Sequence, residues 1–194
     1  MVTENPTAGN RIFRVLVVDD NRDAADSLAV LLRTWGYDYR VSYDGATALK
    51  TALEYRPDCL LLDIGLPKMD GYTVARRLRE HPEFSKVKLV ALTAYADKTH
   101  TQRIRETGFD HHVVKPADID DLKRLLTMME QVLRLASQTE ELARQNVALA
   151  SETKEILHDV KEQIGEVKEK LEDVTEEVRE LKEELREVKD QREN

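Results

Sequence analysis

Five short segments that are predicted to be strands recur along the chain and constrain its fold more than any other feature. They cover residues 15–18, 37–43, 59–62, 87–92 and 109–114. The first and third are continuous apolar runs, which are typical of buried strands, and the others mix apolar and polar residues. The intervals carry apolar residues at helical spacing, and helices are predicted to begin at Asn21, Ala46, Asp70, Thr99 and Asp118. Strands that alternate with helices predict an α/β fold with a five-stranded parallel sheet.

Polar side chains stand where four of these strands end. Asp19 and Asp20 follow the first strand, Asp63 the third, Thr93 the fourth and Lys115 the fifth. Because the carboxyl ends of parallel strands share one edge of a sheet, we expect these side chains to meet there. Clustered carboxylates need a counter-charge, and hard oxygen ligands suit Mg²⁺. A carboxylate beside such an ion can attack phosphorus and form an aspartyl phosphate, with a lysine and a hydroxyl facing the phosphoryl oxygens.

Each of these residues also has an ordinary interpretation when it is taken alone. Asp19 is typical of a turn or helix cap, and Lys115 of a solvated surface charge. His111 and His112 are neighbours on one strand and point to opposite faces, which does not favour a shared metal. The single cysteine, Cys59, lies in an apolar run and is predicted to be a core residue. Only the joint placement of the polar residues at the strand ends favours a functional site.

Four stretches of this sequence resemble the receiver domains of two-component response regulators. They read VLVVDDN, LLLDIGLPKMDGY, LVALTA and HHVVKPAD, and together they span residues 14–128. The resemblance implies a flavodoxin-like fold and a phosphoacceptor role rather than an enzyme, with autophosphorylation from small donors and autodephosphorylation as associated activities. It also implies a cognate sensor histidine kinase as the partner. The style of the motifs is most similar to receivers found on hybrid histidine kinases.

The resemblance further implies a role for each site residue. Asp63 would accept the phosphoryl group from a phosphohistidine, and Thr93 and Lys115 would bind the phosphoryl oxygens. The implied ligands of Mg²⁺ are the side chains of Asp20 and Asp63, the carbonyl of Gly65, and Asp19 through a metal-bound water. The Lys115–Pro116 peptide would be cis.

Two positions depart from the family pattern, and both bear on regulation. His112 stands three residues before the lysine, at the switch position, where the family usually has Tyr or Phe. Its coupling to Thr93 is therefore expected to be weaker or sensitive to pH. Gly65 offers no side chain at the position that tunes dephosphorylation, so the lifetime of the phosphorylated state stays open.

Two enzyme classes are excluded by single positions. A haloacid-dehalogenase-type phosphatase expects a second aspartate two residues after the nucleophile, where Gly65 stands. A dinucleotide-binding domain expects a Gly-x-Gly-x-x-Gly turn after the first strand, where the chain reads Asp-Asp-Asn-Arg-Asp-Ala.

The remainder of the chain has a different composition. All five prolines lie at or before Pro116. After it the chain has no proline and no aromatic residue, and its one glycine is Gly165. Residues 130–194 carry 11 basic and 19 acidic side chains, so this stretch holds the whole net charge of −8. An acidic tail argues against nucleic acid and anionic membrane as partners. No apolar run approaches the ~20 residues that span a bilayer, and a cytoplasmic protein is expected.

The tail carries an unbroken heptad pattern, which predicts a coiled coil. Its a and d positions are Leu157, Val160, Ile164, Val167, Leu171, Val174, Val178, Leu181, Leu185 and Val188. A lone charged helix is the less favoured alternative, because its apolar seam would stay in solvent. The seam continues upstream, with a stutter between Thr153 and Leu157, through Val132, Leu135, Thr139, Leu142, Asn146, Leu149 and Thr153.

Charges at the edges of the seam favour parallel pairing. In a parallel pair Glu177 would meet Lys182, and Glu184 would meet Lys189, whereas an antiparallel pair would oppose lysines. Asn146 at an a position and the habits of the family favour a homodimer. Leu at a with Val at d departs from the usual dimer pattern, so a trimer or tetramer stays open.

These features together predict an N-terminal extension (1–13), a receiver domain (14–128) and a coiled-coil helix continuous with the last receiver helix (129–194). The predicted function is a response regulator that signals through coiled-coil oligomerisation or docking to a downstream protein. The alternative is a constitutive coiled-coil scaffold, or a phosphate sink, that carries receiver domains. A coil of separate origin fused to the domain is a third possibility.

Overall fold

The computed structural model describes residues 12–94 and 98–193, without the side chains of residues 98, 99, 184, 185 and 187–193. Most of the predicted N-terminal extension therefore lies outside the described residues. The described residues form one parallel sheet with the strand order β2-β1-β3-β4-β5. Its strands are β1 (Arg14–Val18), β2 (Asp38–Ser42), β3 (Cys59–Asp63), β4 (Lys88–Thr93) and β5 (His111–Val114).

Helices alternate with these strands along the chain. They are α1 (Arg22–Thr34), α2 (Gly45–Tyr55), α3 (Gly71–Arg79), α4 (Lys98–Glu106) and α5 (Ile119–Glu193), with a short 3₁₀ turn (Pro82–Phe84) before β4. The predicted fold class is confirmed, and the strand order is that of the flavodoxin-like architecture.

The core lies on both faces of the sheet because successive strand residues point to opposite sides. In β1 and β3, Leu16 and Leu62 face the side covered by α2, α3 and α4. Val17 and Leu61 face the side covered by α1 and α5. Every residue of β3 is buried, which explains why this strand reads as a continuous apolar run rather than an alternating one.

Side-chain caps fix where three helices begin. Asn21, Asp44 and Asp70 each accept a hydrogen bond from the backbone N–H three residues later, at 2.8–3.2 Å. Asn21 lies in the loop between β1 and α1, and Asp70 lies in the loop between β3 and α3, both at the carboxyl edge of the sheet. Their capping therefore holds the chain in place next to the residues predicted to form the site.

Helix α5 runs without interruption from Ile119 to Glu193, as the sequence predicts. The chain divides into two compact units between Gln138 and Thr139. The apolar seam positions of the second unit whose side chains are described are exposed, from 43% for Val160 to 65% for Val167. Pairing of this seam stays a prediction. The expected seam positions Leu185 and Val188, and the expected attraction between Glu184 and Lys189, concern side chains that lie outside the described residues. No described helix has the length and hydropathy needed to cross a membrane.

Candidate functional site

The strand ends bring the predicted site residues to one edge of the sheet. Asp19 follows β1, Asp63 ends β3, Thr93 ends β4 and Lys115 follows β5. The register places these ends side by side, since Asp63 pairs with Leu92 and Thr93 pairs with Val114. Strands are added on one side of β1 and then on the other, so the order across the sheet reverses between β1 and β3. This position is the switch point where this architecture binds ligands.

Three carboxylates converge at this switch point. One oxygen from each of Asp19, Asp20 and Asp63 lies within 4.8 Å of the others. Asp19 is 1% exposed and Asp63 is 8% exposed, while Asp20 is exposed to solvent. The backbone N–H of Asn21 donates to Asp19 Oδ1 at 3.0 Å, so the turn into α1 fixes the Asp19 carboxylate. The cluster has a buried floor and one side open to solvent.

Lys115 supplies the counter-charge that a buried acidic cluster requires. Its Nζ donates to Asp19 Oδ2 at 2.6 Å and to Asp63 Oδ1 at 2.8 Å. The backbone N–H of Lys115 donates to the Thr93 carbonyl at 2.8 Å, and the Lys115–Pro116 peptide is cis, as the resemblance implied. The lysine therefore joins the ends of β1, β3 and β4 through one side chain and one amide.

The pKa shifts follow from this burial and pairing. Burial raises the pKa of the Asp63 carboxyl above its usual value; the hydrogen bond and charge of Lys115 oppose the rise, and Asp19 and Asp20 add to it. Burial acts against the charge of Lys115, but its hydrogen bonds to Asp19 and Asp63 outweigh that effect and raise its pKa. Lys115 thus stays protonated, and a further cation beside the three carboxylates would favour the ionised form of Asp63.

The loop after β3 is shaped by two glycines. Gly65 is exposed beside the carboxylate, since a Cβ placed there would lie 3.3 Å from Asp63 Oδ2. Gly71 begins α3 and packs directly on the strand end, since its Cβ would lie 2.4 Å from the Asp63 carbonyl oxygen. The Gly71 N–H also donates to the Ile64 carbonyl at 3.1 Å. The sequence marked Gly71 only as a helix start, and its contact with the Asp63 backbone was missed.

The two predicted switch residues differ in their surroundings. Thr93 is 2% exposed at the end of β4, one strand away from Asp63. His112 lies on β5 opposite Ala91 of β4 and is exposed, as is its neighbour His111.

The donor atoms of the acidic cluster suit a magnesium ion. They are all carboxylate oxygens, which are the hard ligands that Mg²⁺ prefers. The open side at Asp20 leaves room for the waters that Mg²⁺ keeps when it binds through few protein ligands. The coarse expectation of a metal-compatible acidic site is therefore met by the geometry, whereas the assignment of individual ligands stays a proposal.

The fold and this edge of the sheet define a receiver-type domain. The family model for the response regulator receiver domain matches residues 15–127, so the chain belongs to this family of two-component systems. The solved structures similar to it include a response regulator from Chloroflexus aurantiacus (31% identity, TM-score 0.59), which the match covers to 98%, along with 61% of this chain. They also include the receiver domain of the Pseudomonas aeruginosa sensor histidine kinase PA1611, crystallised with magnesium in its active-site cleft (29% identity, TM-score 0.57, 61% of this chain and 98% of that one).

Curated relatives share only part of their length with this chain. The DNA-binding response regulator MtrA of Mycolicibacterium smegmatis is 44% identical over 103 residues, which are 53% of this chain and 44% of MtrA. The transcriptional regulator RpaA of Synechocystis is 30% identical over 123 residues, 63% of this chain and 51% of RpaA. This chain thus spans about half the length of these relatives. Both are named as DNA-binding proteins, so the expectation that this chain binds no nucleic acid stays a prediction.

Proposed function

We propose that this chain is a response regulator that accepts a phosphoryl group on Asp63 from the phosphohistidine of a sensor histidine kinase. The observation that carries the proposal is the environment of the Asp63 carboxylate. It is held at the switch point by Lys115 at 2.8 Å and belongs to a three-carboxylate cluster that is open on one side. A carboxylate in this setting is fixed in position and accessible to a phosphoryl donor.

The transfer forms one bond and breaks one. A carboxylate oxygen of Asp63 attacks phosphorus, and the P–N bond of the phosphohistidine breaks. The electron pair of that bond remains on the imidazole, which carries a proton on its other ring nitrogen throughout the transfer and therefore leaves as neutral histidine. Because Asp63 Oδ1 is held by Lys115, Oδ2 beside Gly65 is the oxygen free to attack.

The residues around Asp63 would balance the negative charge of the carboxylates and of the phosphoryl group. Asp19, Asp20 and Asp63, with the carbonyl of Gly65, would hold Mg²⁺, which when bound neutralises charge on the phosphoryl oxygens. Lys115 would transfer one of its hydrogen bonds to a phosphoryl oxygen as the Asp63 oxygen becomes esterified. The hydroxyl of Thr93 would donate to another phosphoryl oxygen. Movement of Thr93 toward that oxygen would shift the conformational equilibrium of the face that contains His112.

Acetyl phosphate with Mg²⁺ tests the acceptor directly, with intact mass as the measurement. The wild-type chain should gain one phosphoryl group, Asp63→Asn should gain none, and removal of Mg²⁺ by a chelator should slow the gain. Asp26→Asn is the matched control, because Asp26 is an exposed aspartate outside the acidic cluster whose carboxylate accepts a hydrogen bond from the Tyr43 hydroxyl. Labelling of Asp63→Asn at the wild-type rate, or no labelling of wild type, contradicts the proposal.

The proposed output is pairing of the α5 seam into a parallel coiled coil. Seam side chains such as Leu171 (64% exposed) and Val174 (53% exposed) gain burial only from a partner helix. Attraction between Glu177 and Lys182 supports the parallel orientation.

Solution mass with and without beryllofluoride, a phosphoryl mimic, tests this output. A change in oligomer size on addition of the mimic supports signalling through the coil. An identical oligomer in both states favours the constitutive scaffold, and a monomer in both states rules out the coil as the output.

A further inference from the structure

A cavity lies at the amino edge of the sheet, opposite the edge that carries Asp63. Its volume is about 370 Å³, within the range of roughly 300–1,000 Å³ that small-molecule sites occupy. It is lined by residues that lead into β1, β3 and β4 and by a stretch of α5 that contains Leu133 and Ser137. All of these residues belong to the first compact unit. None of them is part of the acidic cluster, so phosphoryl transfer leaves this cavity without a role.

The walls of the cavity combine an apolar floor with an excess of positive charge. Phe13, Phe84 and Val87 form the floor and are at most 8% exposed. Three carboxylates line the rest together with four basic side chains, which are those of Arg14, Arg56, Lys86 and Arg134. Two of the carboxylates already accept hydrogen bonds, Asp58 from the Arg14 N–H at 2.9 Å and Glu130 from the Arg134 side chain at 2.7 Å. The cavity therefore favours an anion with an apolar body over a cation.

Arg14 has an unused hydrogen-bond donor at this cavity. Its Nε atom is buried and has no hydrogen-bond partner among the described residues. A buried donor that stays unpaired costs free energy, more so when it belongs to a charged group. The guanidinium lies over the Tyr55 ring, with Cζ 5.4 Å from the ring centroid, a contact that leaves Nε unpaired. A ligand carboxylate would supply the missing acceptor after a modest rotation of the Arg14 side chain.

Arg56 occupies a backbone conformation that favours glycine. It ends α2 with φ 51° and ψ 65°, in the left-handed region. A side chain is disfavoured in this region, and glycine is the usual residue where a helix ends in this way. Arginine at this position keeps a guanidinium at the cavity wall at the expense of backbone strain. Strain retained beside a cavity indicates a binding role for the side chain.

We propose that this cavity binds a small aromatic carboxylate. The carboxylate pairs with the guanidinium groups of Arg14 and Arg56, and the ring lies against the apolar floor. The occupant contacts both the strand starts and α5, so it stabilises the folded domain and holds this part of α5 to the sheet. The inference goes beyond phosphoryl transfer and does not depend on it, because the cavity and Asp63 lie at opposite edges of the sheet.

Naphthoate is the probe, and amide chemical shifts in NMR spectra of the full chain report both its affinity and its location. Wild type should show saturable shifts at cavity residues such as Arg56 and Ser137. Arg14→Met and Arg56→Gln should each weaken binding at least about tenfold, because each removes a charge-assisted hydrogen bond. Arg33→Gln is the matched control, since Arg33 is an exposed arginine of α1 outside the cavity, and it should bind like wild type. Acetyl phosphate labelling verifies that each variant remains folded.

Two further probes separate the charge from the ring. Acetate carries the charge alone and naphthylmethanol carries the ring alone, and both should bind at least about tenfold more weakly than naphthoate. The proposal is overturned if naphthoate gives no saturable shift up to about 10 mM, or if either arginine variant binds it like wild type. Tighter binding after removal of residues 1–11 would also overturn it, because that result would assign the cavity to the chain segment that precedes Phe13.

Discussion

Replacement of Gly71 by alanine should lower the rate of phosphorylation at Asp63 much more than it lowers the stability of the fold. Gly71 is the first residue of α3, and the Cβ that alanine adds would lie 2.4 Å from the Asp63 carbonyl oxygen and 2.9 Å from Ile64 Cα. Both atoms belong to the backbone, so no side chain can rotate away. The helix start and the end of β3 must therefore move apart.

The size of the effect follows from these distances. An ordinary van der Waals contact begins near 3.4 Å, so the Asp63 backbone and α3 must separate by about 1 Å. Overpacking of this kind costs about 1–3 kcal/mol of the free energy of unfolding. A displacement of about 1 Å at a reacting group lowers a rate on the order of 100-fold. We therefore expect a moderate loss of stability and a large loss of phosphorylation rate.

Gly36→Ala is the matched control. Gly36 has a φ of +84° and no heavy atom within 4 Å of an added Cβ, so alanine there is strained but meets nothing. The left-handed backbone costs about 1–2 kcal/mol, which is similar to the cost expected for Gly71→Ala. Initial rates of acetyl phosphate labelling, followed by intact mass, should fall for Gly71→Ala and stay near wild type for Gly36→Ala. Equal rates in the two variants, at similar stability, would refute the claim that Gly71 positions Asp63.

Three further perturbations test other parts of the chain. Arg79→Met removes hydrogen bonds to three backbone carbonyls and one carboxylate, so urea unfolding should show a loss of about 2–4 kcal/mol, against little change for Arg77→Met. Leu171→Lys at a seam position should lower the oligomer mass in sedimentation, whereas Glu172→Lys next to it should not. Burial acts to raise the pKa of Asp70, but the Thr73 hydrogen bonds and nearby arginines lower it overall, so its charge stabilises the fold above the unfolded pKa. The stability gap to Asp70→Asn should be constant above about pH 5 and shrink as pH falls below about 4, and a gap independent of pH contradicts this assignment.

The parts of this fold that were predictable depend on local pattern. Buried apolar runs such as 59–62 specify strands, and the Asn21 and Asp70 side chains cap helices within three residues of themselves. The predicted boundary of β5 was less accurate, since the strand begins at His111 rather than at residue 109. Asp110 lies just before it, and its carboxylate accepts from the Leu89 N–H and from Arg79, contacts that a local pattern does not reveal.

The site was predictable to the level of which residues meet, because parallel strands place their carboxyl ends together. How they meet depends on tertiary contacts between distant residues. Lys115 was expected to face phosphoryl oxygens, which stays a prediction, and the contacts that the structure shows are with Asp19 and Asp63, 96 and 52 positions away in the chain. The close approach of Gly71 to Asp63 likewise depends on how α3 packs on the sheet. Spacing alone carries no signal for either contact.

The short connection after β5 has a mechanical consequence. Only residues 115–118 separate the end of β5 from Ile119, and the Asp118 side chain anchors the first turn of α5 by accepting from the Asp121 N–H at 2.9 Å. A connection this short leaves little slack between Lys115 and the helix. A displacement of Lys115 on esterification of Asp63 would therefore be passed directly to the first turn of α5.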